Sequence, residues 1–255
     1  MYMGQVIAGR FELGRPFESS AATEVFLARD RKRNQLVIVK VLKDKNSQEA
    51  LLLQELHHEG IIHPLCRLMV PEGILLVEEF FPGVSLRQHV RKRSRLSAEE
   101  TLQIALQIGG TLGYLHEQKP PIIYRDLKPD NILIGKDRAV KLIDFSAAKR
   151  YVLREDQDAV CLGTIGYAAP EQYEDSRSQS DTRTDIFGFG SILYFMLTGR
   201  DPDGKEKTFQ HIRFLRPDIS DPLYQILIRC TKTDPEERYN GAEGLLYDLT
   251  RCYGQ

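Results

Sequence analysis

Up to about Phe81, short apolar runs alternate with polar turns. Arg10 to Phe17, Glu24 to Ala28, Leu36 to Leu42 and Ile74 to Phe80 are rich in β-branched and aromatic residues, and each is predicted as a strand. One helical pattern interrupts them between Ser47 and His58. There Leu51, Leu52, Glu55 and Leu56 recur at helical spacing, and Glu49 falls on the same side as Leu52 and Leu53. Beyond the turn "PGVS" longer helical patterns take over. The first, Ser97 to Gln118, opens with Ser97 and Glu100 spaced as a capping box and carries an apolar face of Leu102, Ala105, Leu106, Leu112 and Leu115. Thr182 to Leu197, Leu223 to Cys230 and Ala242 to Leu249 read as further helices, after a long irregular segment over 144–171. The expected class is α+β: a small β-rich lobe with one helix over about 1–81, a connection over about 79–84 at "EEFFPG", and a larger α-helical lobe over about 85–255.

Composition narrows the partners more than the fold. With 255 residues and 42% hydrophobic residues, the chain is long enough to bury a sizeable core. Its 35 Lys plus Arg against 36 Asp plus Glu give no electrostatic case for binding nucleic acid or an anionic membrane. Cys66, Cys161, Cys230 and Cys252 are scattered, with no CxxC pair and no zinc spacing, which fits reduced thiols in a cytoplasmic protein. No apolar run approaches the ~20 residues of a membrane helix.

Chemistry concentrates in two stretches. "IIYRDLKPDNILI" at 122–134 sets Asp126, Lys128 and Asn131 in one polar loop between apolar runs, and "VKLIDFSAAK" sets Asp144 at the end of another apolar strand. Two carboxylates, an amide and an ammonium suit a magnesium-phosphate site, because magnesium prefers oxygen ligands and keeps substrate phosphates in its shell.

In order and spacing these stretches closely resemble the catalytic loop and metal-binding strand end of eukaryotic-like protein kinases, HRDxxxxN followed by DFG. The resemblance covers essentially the whole chain. "VIVK" at 37–40 is similar to the VAIK strand, "GTIGYAAPE" at 163–171 to the end of an activation segment, and "DIFGFG" and "DPEERY" to the buried helix and closing arginine. It implies a single bilobal kinase domain over 1–255, with an activation segment over 144–171. Lys40 would reach the α and β phosphates of ATP and pair with Glu49. Asp126 would orient the substrate hydroxyl and accept its proton, Lys128 would neutralise the transferred phosphoryl group, and Asn131 and Asp144 would hold magnesium. Glu171 with Arg238 would form a buried ion pair, and Asp185 would brace the catalytic loop. Lys128 is similar to the serine/threonine branch, and "GTIGYAAPEQY" to compact bacterial members.

The nucleotide pocket departs from the family pattern. Aligning Val25 with the valine after GxGxxG puts Glu18, Ser20 and Thr23 at the three glycine positions, in the stretch "FESSAATEVF". Ser19, Ser20 and Thr23 are small hydroxyl residues that would supply donors to the phosphates beside the backbone. Ile38 stands where a small alanine packs on adenine, and Leu133 is a further residue that the resemblance assigns to the nucleotide. Glu79 and Phe81 would offer backbone groups to it, and Glu78 would be the gatekeeper, an acidic group that needs a donor such as Lys40 if buried. Tyr124 replaces the usual histidine and Ser146 the third glycine of DFG. Thr164 and Tyr167 present hydroxyls in the segment; Thr164 reads as a support for Asp126 rather than a switch.

The expected activity is transfer of the γ-phosphoryl of Mg-ATP to a serine or threonine hydroxyl of a protein. A pseudokinase that keeps the shape for docking or nucleotide sensing is the alternative, with nucleotidyl transfer on the same fold as a third possibility. The oligomeric state is open.

Overall fold

The computed structural model describes residues 1–19, 23–45, 47–152, 163–173 and 179–253. The chain divides into two compact units, 1–57 with 61–82, and 58–60 with 83–255.

In the first unit, β1 (Val6–Ile7), β2 (Phe11–Ser19), β3 (Thr23–Asp30), β4 (Gln35–Leu42), β5 (Pro64–Val70) and β6 (Gly73–Glu79) form one antiparallel sheet in the order β1-β2-β3-β4-β6-β5. Side chains alternate across a strand, so one face of this sheet carries Phe26, Ala28, Val37, Val39, Val41, Leu75 and Val77. These close a core with Ile7, Phe11 and Leu13. Register fixes the composition of the other face. Val25 lies opposite Lys40 and Lys40 opposite Leu76, while Leu27 lies opposite Ile38 and Ile38 opposite Glu78. The apolar residues of β4 thus flank a lysine that the fold turns away from the core.

The helix α1 (Gln48–Glu55) covers this second face, since its Glu49 reaches Lys40. Eight residues without a side-chain cap do not hold a helix in water, so α1 depends on burying Ala50, Leu52 and Leu53 and on that ion pair. Leu51, expected on the packed side, is instead 46% exposed: four consecutive helical positions cannot all face one sheet, and Glu49, Ala50, Leu52 and Leu53 take it.

The second unit begins with β7 (Gly83–Ser85) and α2 (Leu86–Arg91), where Ser85 and Gln88 make a reciprocal capping box. In α3 (Ala98–His116) the box expected from Ser97 and Glu100 forms by half. Ser97 accepts from the Glu100 N–H, but the Glu100 carboxylate goes to His89 Nε2 at 2.8 Å. Two short ladders follow: β8 (Ile122–Ile123) pairs with β11 (Lys149–Arg150), and β9 (Ile132–Gly135) pairs with β10 (Val140–Leu142) and with β7.

The helix α4 (Thr182–Thr198) is buried from Thr184 to Leu197 and forms the centre of this unit. Asp181 caps its start, and Gly199 ends it at φ 70°, where a Cβ would lie 1.7 Å from the Ser94 carbonyl oxygen. Around it stand α5 (Glu206–Gln210), α6 (Ile212–Leu215), α7 (Asp221–Cys230) and α8 (Ala242–Tyr253). No described helix is long and apolar enough to cross a membrane.

Candidate active site

The loop between β8 and β9 is built around a buried carboxylate from α4. Asp185 is 1% exposed and accepts the backbone N–H of Tyr124 at 2.9 Å and of Arg125 at 2.8 Å, with His116 Nε2 at 3.0 Å. Arg125 needs this support, because it sits at φ 67°, a region that costs a residue with a Cβ about 1–2 kcal/mol. Its guanidinium reaches back to the Ala147 carbonyl at 2.6 Å, and Gln172 Nε2 donates to the Arg125 carbonyl at 2.8 Å. The Tyr124 ring is fully buried and meets Phe145 edge-on, with centroids 5.1 Å apart; burial beside Asp144 pushes its phenol far above its ordinary range. A neutral tyrosine therefore fills the place where the family pattern has a histidine.

Past that bend the loop presents Asp126. Lys128 Nζ donates to its Oδ2 at 2.6 Å, and Asn131 Nδ2 donates to the same oxygen at 2.9 Å and to the Asp126 carbonyl at 3.0 Å. The Thr164 hydroxyl reaches Oδ1 at 3.3 Å. Three donors from two segments thus fix the carboxylate's orientation. Asn131 spends its nitrogen on Asp126, which turns the amide oxygen away as the group suited to a hard cation. Its carbonyl accepts from Ile143 N–H at 3.1 Å, which holds the end of β10 and hence Asp144 beside it. The Asp144 carboxylate accepts the Ser146 N–H at 3.0 Å, so Ser146 takes its turn without needing glycine. Among the described residues no group of three or more His, Cys, Asp or Glu is placed to hold a metal on its own. A site made of one amide, one carboxylate and substrate phosphates has no such group.

The segment's C-terminal end is tied down separately. Arg238 makes a bidentate pair with Glu171, at 2.7 and 2.9 Å, and its remaining donors go to the carbonyls of Arg183, Lys232 and Thr233. The pair expected from sequence is present and is buried at both ends. Tyr167, the other hydroxyl noted in this segment, is 4% exposed. Its hydroxyl donates to Asp201 at 2.7 Å, which removes it from solvent. Asp201 and Asp130 in turn both bind Arg87.

In the first unit, Thr23, Val25, Ile38, Lys40 and Glu78 lie on the sheet face opposite the core. Lys40 Nζ is 2.8 Å from Glu49 Oε1 and 3.1 Å from Glu78 Oε1. Glu78, expected as the gatekeeper, does meet Lys40, as its burial requires. Glu79 bonds its N–H to the His63 carbonyl at 2.9 Å, which restricts what its backbone can offer a base to the carbonyl; Phe81 lies past the end of β6. Leu133 belongs to the second unit, half-buried on β9 opposite Ser85 and Lys141. Ser20, the side chain of Ser19 and Cys161 fall outside the described residues.

Gln172, His116 and Arg87 were missed in the sequence. Each acts through a backbone atom or a second side chain far along the chain, and no local motif marks them.

The family model described as "Protein kinase domain" matches residues 19–248. The chain is 29% identical to the serine/threonine-protein kinase PknB of Mycolicibacterium smegmatis, over 98% of this chain and 44% of that protein. It is 28% identical to a probable serine/threonine-protein kinase of Streptomyces coelicolor, over 96% of this chain and 40% of that one. A probable serine/threonine-protein kinase of Clostridium perfringens is 27% identical, with 98% and 39% covered. The chain spans less than half the length of these curated relatives.

Proposed function

Because this chain belongs to the protein kinase domain family, we propose that it transfers the γ-phosphoryl group of ATP to a serine or threonine hydroxyl of a protein. The observation that carries this reading is the Asp126 carboxylate, oriented by Lys128, Asn131 and Thr164 on a loop that Asp185 pins from beneath. Phosphoryl transfer asks little covalent chemistry of a protein and much positioning, which is what this arrangement supplies.

The substrate hydroxyl is held at Asp126. Its oxygen forms the new bond to the γ-phosphorus as the bond to the β-γ bridging oxygen breaks, ADP leaves, and the hydroxyl proton passes to the Asp126 carboxylate. Lys128, already at Asp126, moves onto the charge that gathers on the transferred group. Magnesium bound with the nucleotide would neutralise phosphate charge, with Asn131 and Asp144 as its protein ligands. Lys40 positions the α and β phosphates while Glu49 holds its ammonium. The family pattern assigns nucleotide contacts to Thr23, Val25, Ile38, Glu79 and Phe81 of the first unit, to Ser19 and Ser20, and to Leu133 of the second. The names of the relatives, and Lys128 in its loop, support serine or threonine as acceptor. Dependence on ATP, and the free thiols of Cys66, Cys230 and Cys252, support a cytoplasmic location for this domain.

ATP labelled at either the γ or the α phosphate separates the readings. Label from the γ position alone, recovered on serine or threonine, supports the kinase. Label from the α position indicates nucleotidyl transfer. Stabilisation by ATP and magnesium without transfer of either label indicates a pseudokinase.

A further inference from the structure

Lys40 is flanked by two buried carboxylates, not one. Its side chain is 10% exposed, that of Glu49 4% and that of Glu78 2%, and both carboxylates lie within 3.1 Å of the ammonium. Their placement is independent: Glu49 comes from α1, whereas Glu78 comes from β6 and faces the same side as Lys40 by sheet register. Two carboxylates thus share one ammonium in a space nearly closed to water.

The other elements around the cluster bring mostly apolar residues and one further charged group to this face. On β3 the facing residues are Val25 and Leu27, and on β6 Leu76. On α1 they include Ala50, Leu52 and Leu53. On β5, Pro64 pairs with Glu78, and Arg67 stands opposite Leu76 on the same face as the further charged group.

We propose that Glu78 is a second positioning residue for Lys40, whose charge sets how available that ammonium is to an anionic ligand. Glu78 shares the ammonium with Glu49 and adds a negative charge beside it. A polyphosphate brought to Lys40 meets that charge and competes with two carboxylates, so nucleotide binds more weakly than it would with Glu49 alone. This consequence for nucleotide rests on the proposed role of Lys40 at the phosphates; the effect of Glu78 on the ammonium does not.

Two measurements on the whole chain, in wild type, Glu78→Gln and Glu78→Met, test the two parts separately. The first needs no nucleotide: competitive labelling of Lys40 by acetic anhydride across pH 7–10, read by peptide mass spectrometry. Removing a carboxylate beside the ammonium favours the free amine, so Lys40 is labelled several-fold faster at a given pH in both variants. Equal labelling in all three proteins overturns the proposal. The second is Mg-ATP affinity. Glu78→Gln binds about tenfold tighter than wild type, as expected for one unit charge removed nearby. In turnover the change appears in KM for ATP with kcat little altered. Equal affinity in Glu78→Gln and wild type overturns the proposal. Faster labelling in proteins that bind no Mg-ATP would uphold Glu78 as the partner of Lys40 and refute the nucleotide reading instead.

Discussion

Asp185 reaches 60 residues back along the chain to accept the backbone N–H of Arg125 at 2.8 Å. This contact holds Arg125 at φ 67°, and so aims the next residue, Asp126, toward Lys128, Asn131 and Thr164. A central helix thus sets the geometry of a loop it does not belong to.

Asp185→Asn tests that relationship. The amide has one acceptor oxygen for three donors and presents N–H groups toward the rest. Equilibrium unfolding is expected to show a loss of about 1–3 kcal/mol. Steady-state kinetics is expected to show a fall of about a hundredfold in kcat with KM for ATP nearly unchanged, since the damage is to positioning.

Glu171→Gln removes one partner of a buried bidentate pair. Arg238 is left with its other carbonyl acceptors but no counter-charge. Urea unfolding is expected to shift to a lower midpoint with unchanged slope, by about 3–5 kcal/mol.

Acid stability should carry the mark of Arg10 and Asp30. Hydrogen bonds from Arg10 at 2.6 and 2.8 Å, with help from the Lys32 and Arg33 N–H groups, hold the Asp30 carboxyl down at about 2, against an ordinary 3.8. A carboxylate depressed in the folded state stabilises above its unfolded value, and that contribution disappears as pH falls through the folded one. Arg10→Gln is expected to be less stable than wild type at pH 6, with the gap closing between pH 3.8 and about 2. The check is thermal unfolding along that pH series.

The stretch "FESSAATEVF", proposed as a phosphate loop without glycine, makes its own prediction. Glycine placed at both Ser20 and Thr23 restores the freedom for backbone N–H groups to approach phosphate. Calorimetry is expected to show tighter Mg-ATP binding; unchanged or weaker binding would mean the hydroxyls bind phosphate directly.

Much of this was legible in the sequence, and what was not has physical reasons. The strands β3, β4 and β6 announce themselves through β-branched residues between turn residues, and β2 through Phe11 and Phe17. The edge strand β5 does not: "PLCRLMV" begins with proline, carries Arg67 at its centre, and is mostly half-buried, so neither alternation nor a fully apolar run marks it. The short helices α2, α5 and α6 hold too few turns to show a period. The Asp126, Lys128, Asn131 and Asp144 set could be read because a short loop and one strand end carry it. The capping box at Ser97 failed halfway because His89, on another helix, offered Glu100 a better partner than its own N-cap. The pairing of Glu78 with Lys40 could only be raised as a condition, since it depends on register between β4 and β6.

The central claim is that Asp126 organises phosphoryl transfer, and one rate measures it most directly. With γ-labelled Mg-ATP and a protein acceptor, wild type is expected to transfer label to serine or threonine. Asp126→Asn, which keeps the side-chain shape and loses the proton acceptor, is expected to be slower by at least about a hundredfold while unfolding at a similar temperature. Equal rates in the two folded proteins would contradict the account.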